Sequence, residues 1–95
     1  VSNLEFLETL QAVIRDRLAA ASPGSYTARL AAQGPVKVAQ KLGEEAIELA
    51  LAAVAEDDIR VTEEAADLVY HMLVLLALRG IAFDDVVAAL EKRHV

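Results

Sequence analysis

A chain of 95 residues has room for one small domain, here 1–95, and not for two. Its residues are 56% hydrophobic but only 4% aromatic, so Ala, Leu and Val supply the apolar surface; this favours packed helices, with an apolar excess that suits self-association as a homodimer. A net charge of −6 without a basic stripe argues against nucleic acid as a partner, and the absence of cysteine excludes disulfides, zinc–thiolate sites and a Cys nucleophile.

Ser2 with Glu5 three residues later makes a capping-box pattern. Leu4, Leu7, Leu10, Ile14 and Leu18 then recur at helical spacing, which predicts a first helix from about Asn3 to Ala20. "SPGS" (22–25) ends it, and a short helical piece, "YTARLAAQ" (26–33), stops at Gly34. Pro35 suits the first turn of the next helix, which extends to about Glu56. Gly43 lies inside it, and the expected reason is close approach of another backbone or a ligand. "EDD" (56–58) marks a turn, and a fourth helix runs from near Ile59 to Leu78, with Gly80 as its C′ residue. Asp84 or Asp85 opens a last helix that ends near Lys92. No segment alternates like a strand. The reading is all-α: four or five helices in an antiparallel bundle, the third and fourth forming a hairpin, completed by dimerisation. "LVYHMLVLLAL" (68–78) is too short for a membrane span and is bounded by Asp67 and Arg79. The chain shows no basic region followed by an apolar core at its start, so the expected location is the cytoplasm.

"KLGEEAIELALAA" (41–53) places Glu44, Glu45 and Glu48 in an otherwise apolar helix. Glu45 and Glu48 project ~60° apart, on one face, and Lys41 sits one turn before Glu45. On the fourth helix Glu64 and Asp67 repeat the three-residue spacing, and Arg60 and His71 extend that face by a turn each way. One reading is a solvated stripe whose ion pairs contribute little. The other is four converging carboxylates, which repel one another unless a hard divalent cation is present. Oxygen ligands suit Mg²⁺, with Mn²⁺ as a substitute. The Glu-x-x-His pair of di-iron bundles, His-x-x-x-His zinc motifs and the EF-hand loop are all missing from the core. Mg²⁺ on carboxylates is usually completed by substrate phosphates, which points to phosphate-ester or phosphoanhydride chemistry.

The ordered pattern Glu44-Glu45-x-x-Glu48, a spacer, then Glu64-x-x-Asp67 resembles the all-α nucleoside-triphosphate pyrophosphatase superfamily. Within it, "SYTARL" (25–30), "KLGEEAIEL" (41–49) and "EAADLVYHMLVLLALRGI" (64–81) resemble the phosphoribosyl-ATP pyrophosphatase family of histidine biosynthesis. The resemblance covers most of the chain from Ser25 onward. It implies a Mg²⁺-dependent hydrolase that cleaves phosphoribosyl-ATP between its α and β phosphates, giving phosphoribosyl-AMP and pyrophosphate. Glu45, Glu48, Glu64 and Asp67 would be the metal ligands. Glu44 would join a second ion or orient the attacking water. Lys37 and Lys41 match basic positions that contact phosphate; the plainer reading has Lys41 pairing with Glu45 and Lys37 in solvent. Tyr26 is either core packing or a platform for the base, and His71 either binds substrate or is a satisfied structural histidine. Two positions depart from the pattern: "VAEDD" (54–58) replaces a basic residue and polar turn, and Gln40 stands where Lys is frequent. Residues 1–24 carry only the amphipathic pattern, and 95 residues leave no room for a fused cyclohydrolase. A pyrophosphohydrolase of another, noncanonical nucleoside triphosphate and a non-enzymatic helical dimerisation module remain as alternatives.

Overall fold

The structure, a computed structural model, describes residues 3–95, and among them it forms α-helices and no strand. The helices are α1 (Phe6–Ala20), α2 (Tyr26–Ala32), α3 (Pro35–Ala55), α4 (Asp58–Leu78) and α5 (Phe83–His94). The Ser2 cap lies outside the described residues. The chain enters α1 through a tighter turn, in which Phe6 and Leu7 N–H groups donate to the Asn3 and Leu4 carbonyls.

Most boundaries follow from local chemistry. The Ser25 hydroxyl accepts from the Ala28 N–H at 3.2 Å and caps α2. Gly34, at φ +94°, turns the chain into α3, where Pro35 occupies a position that needs no donor. Asp57 caps α4 by accepting from the Arg60 N–H at 2.9 Å, so Glu56 and Asp57 alone connect the two 21-residue helices. Gly80 takes φ +70° after α4. Its N–H donates to the Ala77 carbonyl, and the Ile81 N–H donates to that of Leu76 at 2.9 Å, a Schellman ending.

One expectation is corrected and one is narrowed. α5 begins earlier than Asp84, at Phe83, with Ala82 at the N-cap; Asp85 reaches back from the first turn, its carboxylate accepting from the Ala82 N–H at 3.1 Å. Asp85 is thus a third-position partner of the backbone rather than the residue that opens the helix, because a carboxylate one turn in can reach the N-cap amide. At Gly43 nothing lies within 4 Å of where a Cβ would stand, so no backbone of this chain requires the glycine.

The core draws one or two residues from each of α1 to α4. Ile14 of α1, Leu30 of α2, Val38 of α3, and Leu73 and Val74 of α4 are buried together, with Leu7, Leu10, Leu18, Val69 and Phe83 packed round them. α3 and α4 lie along each other as the predicted hairpin, and α1 and α2 cover one end of it. α5 buries no residue fully and is held at its start, where the Phe83 N–H donates to the Gln11 side-chain oxygen at 2.9 Å. The far half of the hairpin is uncovered: Ile47, Leu51 and Val54, at helical spacing on one face of α3, are 63–87% exposed.

Candidate functional site

The α3–α4 hairpin brings carboxylates from both helices to one place. Ligand-competent oxygens of Glu45, Glu48 and Glu64 all lie within 4.8 Å of one another. Glu45 and Glu64 are buried, at 7% and 2% exposure, while Glu48 is exposed. Spacing alone accounts for this convergence: helices that run antiparallel from a two-residue turn bring residues at similar distances from the turn side by side. Glu48 stands eight residues before Glu56, and Glu64 stands seven after Asp57.

The charges around the cluster are incompletely matched. On α3, Lys41 Nζ stands 3.7 Å from Glu44 and 3.7 Å from Glu45. On α4, the Arg60 guanidinium lies 2.6 Å from Glu64 and also fans toward Glu56 and Glu63. Among the described residues, Oε2 of Glu45 and Oε2 of Glu64 are buried side-chain atoms with no hydrogen-bond partner. Such orphaned oxygens are costly in a folded protein. The Glu64 carboxyl is raised above its usual pKa, first by desolvation and then by the neighbouring Glu48 carboxyl, against the opposing pull of Arg60. Glu48 can bond to Glu64 only while one of the two is protonated; once both ionise, the same proximity is repulsive. Bare, buried, all-oxygen donors of this kind fit a hard divalent cation such as Mg²⁺ and do not fit a softer metal that prefers nitrogen or sulfur.

Glu44 is exposed and lies outside the three-carboxylate cluster, sharing Lys41 with Glu45. It accepts from Gln40 Nε2 at 2.9 Å, and its carboxyl is held below the usual range first by that bond, then by Lys41 and Lys37, against some desolvation. Desolvation pulls the Lys41 pKa down, yet it stays raised because Tyr26 in its ionised form, Glu45, Glu44 and Glu48 favour the ammonium. Lys37 is half-buried and makes no ion pair among the described residues; it acts on Glu44 only through longer-range charge.

Asp67 is the predicted ligand that the structure does not bring into the three-residue cluster. Its side chain is exposed one turn beyond Glu64, and its backbone carbonyl accepts from His71 Nδ1 at 2.7 Å. His71 Nε2 lies 3.1 Å from the Tyr26 hydroxyl. Tyr26, Tyr70 and His71 make tilted and edge-on ring contacts with centroids 5.1–6.2 Å apart, and the Tyr70 hydroxyl bonds the Thr27 hydroxyl. The start of α2 is thereby fastened to the middle of α4, beside the carboxylates. Sequence reasoning missed the Thr27–Tyr70 bond, which no local pattern announces, since the two residues are 43 positions apart. It also missed the Gln40–Glu44 bond, for which the four-residue spacing was an available signal. A separate cleft of about 250 Å³ between α1 and the α4–α5 turn is lined by Gln11, Arg15, Leu73, Ala77, Gly80, Ile81 and Ala82, none of them a predicted site residue.

Comparison with known proteins gives a single pattern. The family profile "Phosphoribosyl-ATP pyrophosphohydrolase" matches residues 7–94. The chain is similar to the phosphoribosyl-ATP pyrophosphatase of Sphingopyxis alaskensis, with 55% identity over 91 residues that cover 95% of this chain and 84% of the relative. With the phosphoribosyl-ATP pyrophosphatase of Pyrobaculum calidifontis it shares 54% identity over 87 residues, covering 92% of this chain and 93% of the relative. It also matches the histidine biosynthesis bifunctional protein HisIE of Xanthomonas campestris at 48% identity, over 95% of this chain but only 44% of that longer protein.

Proposed function

Because this chain belongs to the phosphoribosyl-ATP pyrophosphohydrolase family, we infer that it hydrolyses phosphoribosyl-ATP to phosphoribosyl-AMP and pyrophosphate, a step of histidine biosynthesis. It is a hydrolase acting on a phosphoanhydride bond. One observation of the site supports this reading most directly. Two buried carboxylates on facing helices keep an oxygen each without a partner, an arrangement that a divalent cation shared with a triphosphate would satisfy.

Glu45, Glu48 and Glu64 would hold Mg²⁺, with Asp67 as a fourth ligand from the next turn of α4. When bound there, Mg²⁺ supplies neutralisation of the triphosphate charge and acidification of a water molecule. The chain's own residues do the rest. Lys41, whose positive charge is favoured by the surrounding acids, is placed to bind a phosphate oxygen, and Lys37 adds positive charge on the same face of α3. Glu44, kept ionised by Gln40 and Lys41, accepts a hydrogen bond from the attacking water and orients it. Water adds across the bond between the α and β phosphates; one product leaves with the phosphoribosyl-AMP portion and the other as pyrophosphate. Tyr26 and His71 border the site on the α2 side and contact the nucleoside end.

The exposed apolar stripe Ile47, Leu51 and Val54 supports a homodimer in which a second copy covers the outer face of the hairpin. No helix among the described residues is long and apolar enough to cross a membrane, and the proposed location is the cytoplasm. Pyrophosphate release measured with Mg²⁺ on phosphoribosyl-ATP and on noncanonical nucleoside triphosphates tests the assignment. Turnover of phosphoribosyl-ATP is expected; turnover of the nucleotides alone would replace the substrate.

A further inference from the structure

Arg60 stands where a cation is at a disadvantage. It is the third residue of α4, and its own N–H is tied to the Asp57 carboxylate at 2.9 Å. The positive end of the helix dipole falls in that first turn and disfavours a positive side chain there. Glu56, Glu63 and Glu64 lie round the guanidinium and offset this, but they are unequal partners. Glu56 and Glu63, both well exposed, are 3.9 and 3.7 Å away, beyond hydrogen-bond length. Glu64 is 2.6 Å away, and its side chain is only 3% exposed.

The Arg60–Glu64 pair therefore spans the edge of the carboxylate cluster. Nη2 of Arg60 meets Oε1 of Glu64, while Oε2 of the same carboxylate is buried with no partner among the described residues. α3 repeats the arrangement less tightly. Lys41, four residues before Glu45, stands 3.7 Å from Oε1 of Glu45, whose Oε2 is likewise bare. Each helix thus brings one cation to one oxygen of its buried acid and leaves the other oxygen open.

A guanidinium always carries its charge and only donates, so the sense of the Arg60 contact is the same whatever the state of Glu64. Its one short contact leaves the rest of the fork free, with half the side chain in solvent. A free fork of N–H donors suits a phosphate. A divalent cation drawn to the bare oxygen competes with Arg60 for the charge of one carboxylate, which weakens the hold of each. A triphosphate sharing that cation brings new anionic oxygens to the same edge.

Resting on the proposed function, we propose that Arg60 is an exchangeable counter-cation and a further substrate-binding residue. It holds Glu64 in the metal-free chain and turns to a phosphate oxygen once a divalent cation takes Glu64, its backbone staying fixed by the Asp57 cap. Arg60 and Lys41 then hold the phosphate chain from the two helices.

The test reads two probes by calorimetry, and the expected shifts have opposite signs. With Mn²⁺ alone, Arg60→Gln is expected to bind about two- to fivefold tighter, the worth of a half-exposed ion pair that no longer competes. With inorganic tripolyphosphate at saturating Mn²⁺, the same variant is expected to bind about tenfold more weakly, the size of one charge-assisted hydrogen bond. Arg60→Lys keeps the charge without the fork and is expected to fall between that variant and the wild type on tripolyphosphate. Arg79→Gln removes the same charge at the other end of α4 and is expected to move neither affinity. Weaker Mn²⁺ binding by Arg60→Gln would overturn the proposal, because Arg60 would then be orienting Glu64 for the metal. Unchanged tripolyphosphate affinity would overturn it too, as would equal shifts from Arg79→Gln, which would trace both effects to net charge. If the two opposite shifts are found but the unsubstituted chain does not turn over phosphoribosyl-ATP, the substrate assignment fails and the role of Arg60 stands.

Discussion

Glu45 and Glu64 are the residues on which the chemistry and the stability pull in opposite directions. Each is buried with an oxygen unpartnered, and together with Glu48 they repel. Glu45→Gln and Glu64→Gln are therefore expected to raise the thermal midpoint of the metal-free protein. Glu64→Gln also weakens the 2.6 Å pair with Arg60, whose guanidinium is half-exposed and keeps Glu56 and Glu63 as partners. The same variants are expected to lose on the order of 10²–10³-fold in turnover, the scale of metal-derived charge stabilisation. They should also lose the rise in thermal midpoint that Mg²⁺ gives the wild type. Scanning calorimetry with and without Mg²⁺, alongside pyrophosphate release, checks both halves; a Gln variant that keeps wild-type turnover would favour a non-enzymatic helical module. Ile14 answers to packing alone. It is 1% exposed and the one fully buried residue of α1 among the described residues, so Ile14→Ala is expected to cost about 2–5 kcal/mol by urea denaturation.

Among the elements, the helices were legible in the sequence because their boundaries are written in local chemistry. Pro35, Asp57 and Gly80 each do at their position what their backbone geometry or side chain dictates, and α3 and α4 end within a residue or two of expectation. α5 was misplaced at its start because an acid that reaches back to the N-cap amide looks, in sequence, like the cap itself. Gly43 was legible only in part: a glycine inside a helix signals an absent side chain without saying what approaches it, and within this chain nothing does. The two glycines thus predict opposite outcomes. Gly80→Ala forces a Cβ into the left-handed region and is expected to destabilise by about 1–2 kcal/mol. Gly43→Ala, in an open helical position, is expected to stabilise the metal-free chain by up to about 1 kcal/mol. Equilibrium urea melts of the two variants make the comparison.

At the scale of the molecule, the single chain leaves its apolar account unsettled. The core uses one or two residues from each of α1 to α4, while Ile47, Leu51 and Val54 face outward. These three residues, at helical spacing, are the face that the proposed homodimer would cover; the composition shows an apolar excess without saying which helix carries it. Leu51→Glu is expected to dissociate the proposed homodimer, read as a halving of mass by sedimentation at micromolar concentration. A wild type that is already monomeric there would refute the dimer. The candidate site was legible in a graded way. The approach of Glu45, Glu48 and Glu64 was legible because spacing on two helices and a short turn determine it. The exposure of Asp67 one turn beyond Glu64, outside that group, was not, since spacing gives a face and not a depth.

The two-residue turn at Glu56 and Asp57 bears on how the chain reaches this state. Contacts between α3 and α4 close small loops, so the hairpin is the cheapest long-range structure to form and belongs early in folding. Glu45, Glu48 and Glu64 are drawn together in that same event, before α1 arrives to bury the core. Their repulsion is then felt in the transition state, and removing it acts on the forward rate. In stopped-flow refolding without metal, Glu64→Gln should steepen the approach to the native state, whereas Ile14→Ala, whose helix docks later, should chiefly hasten unfolding.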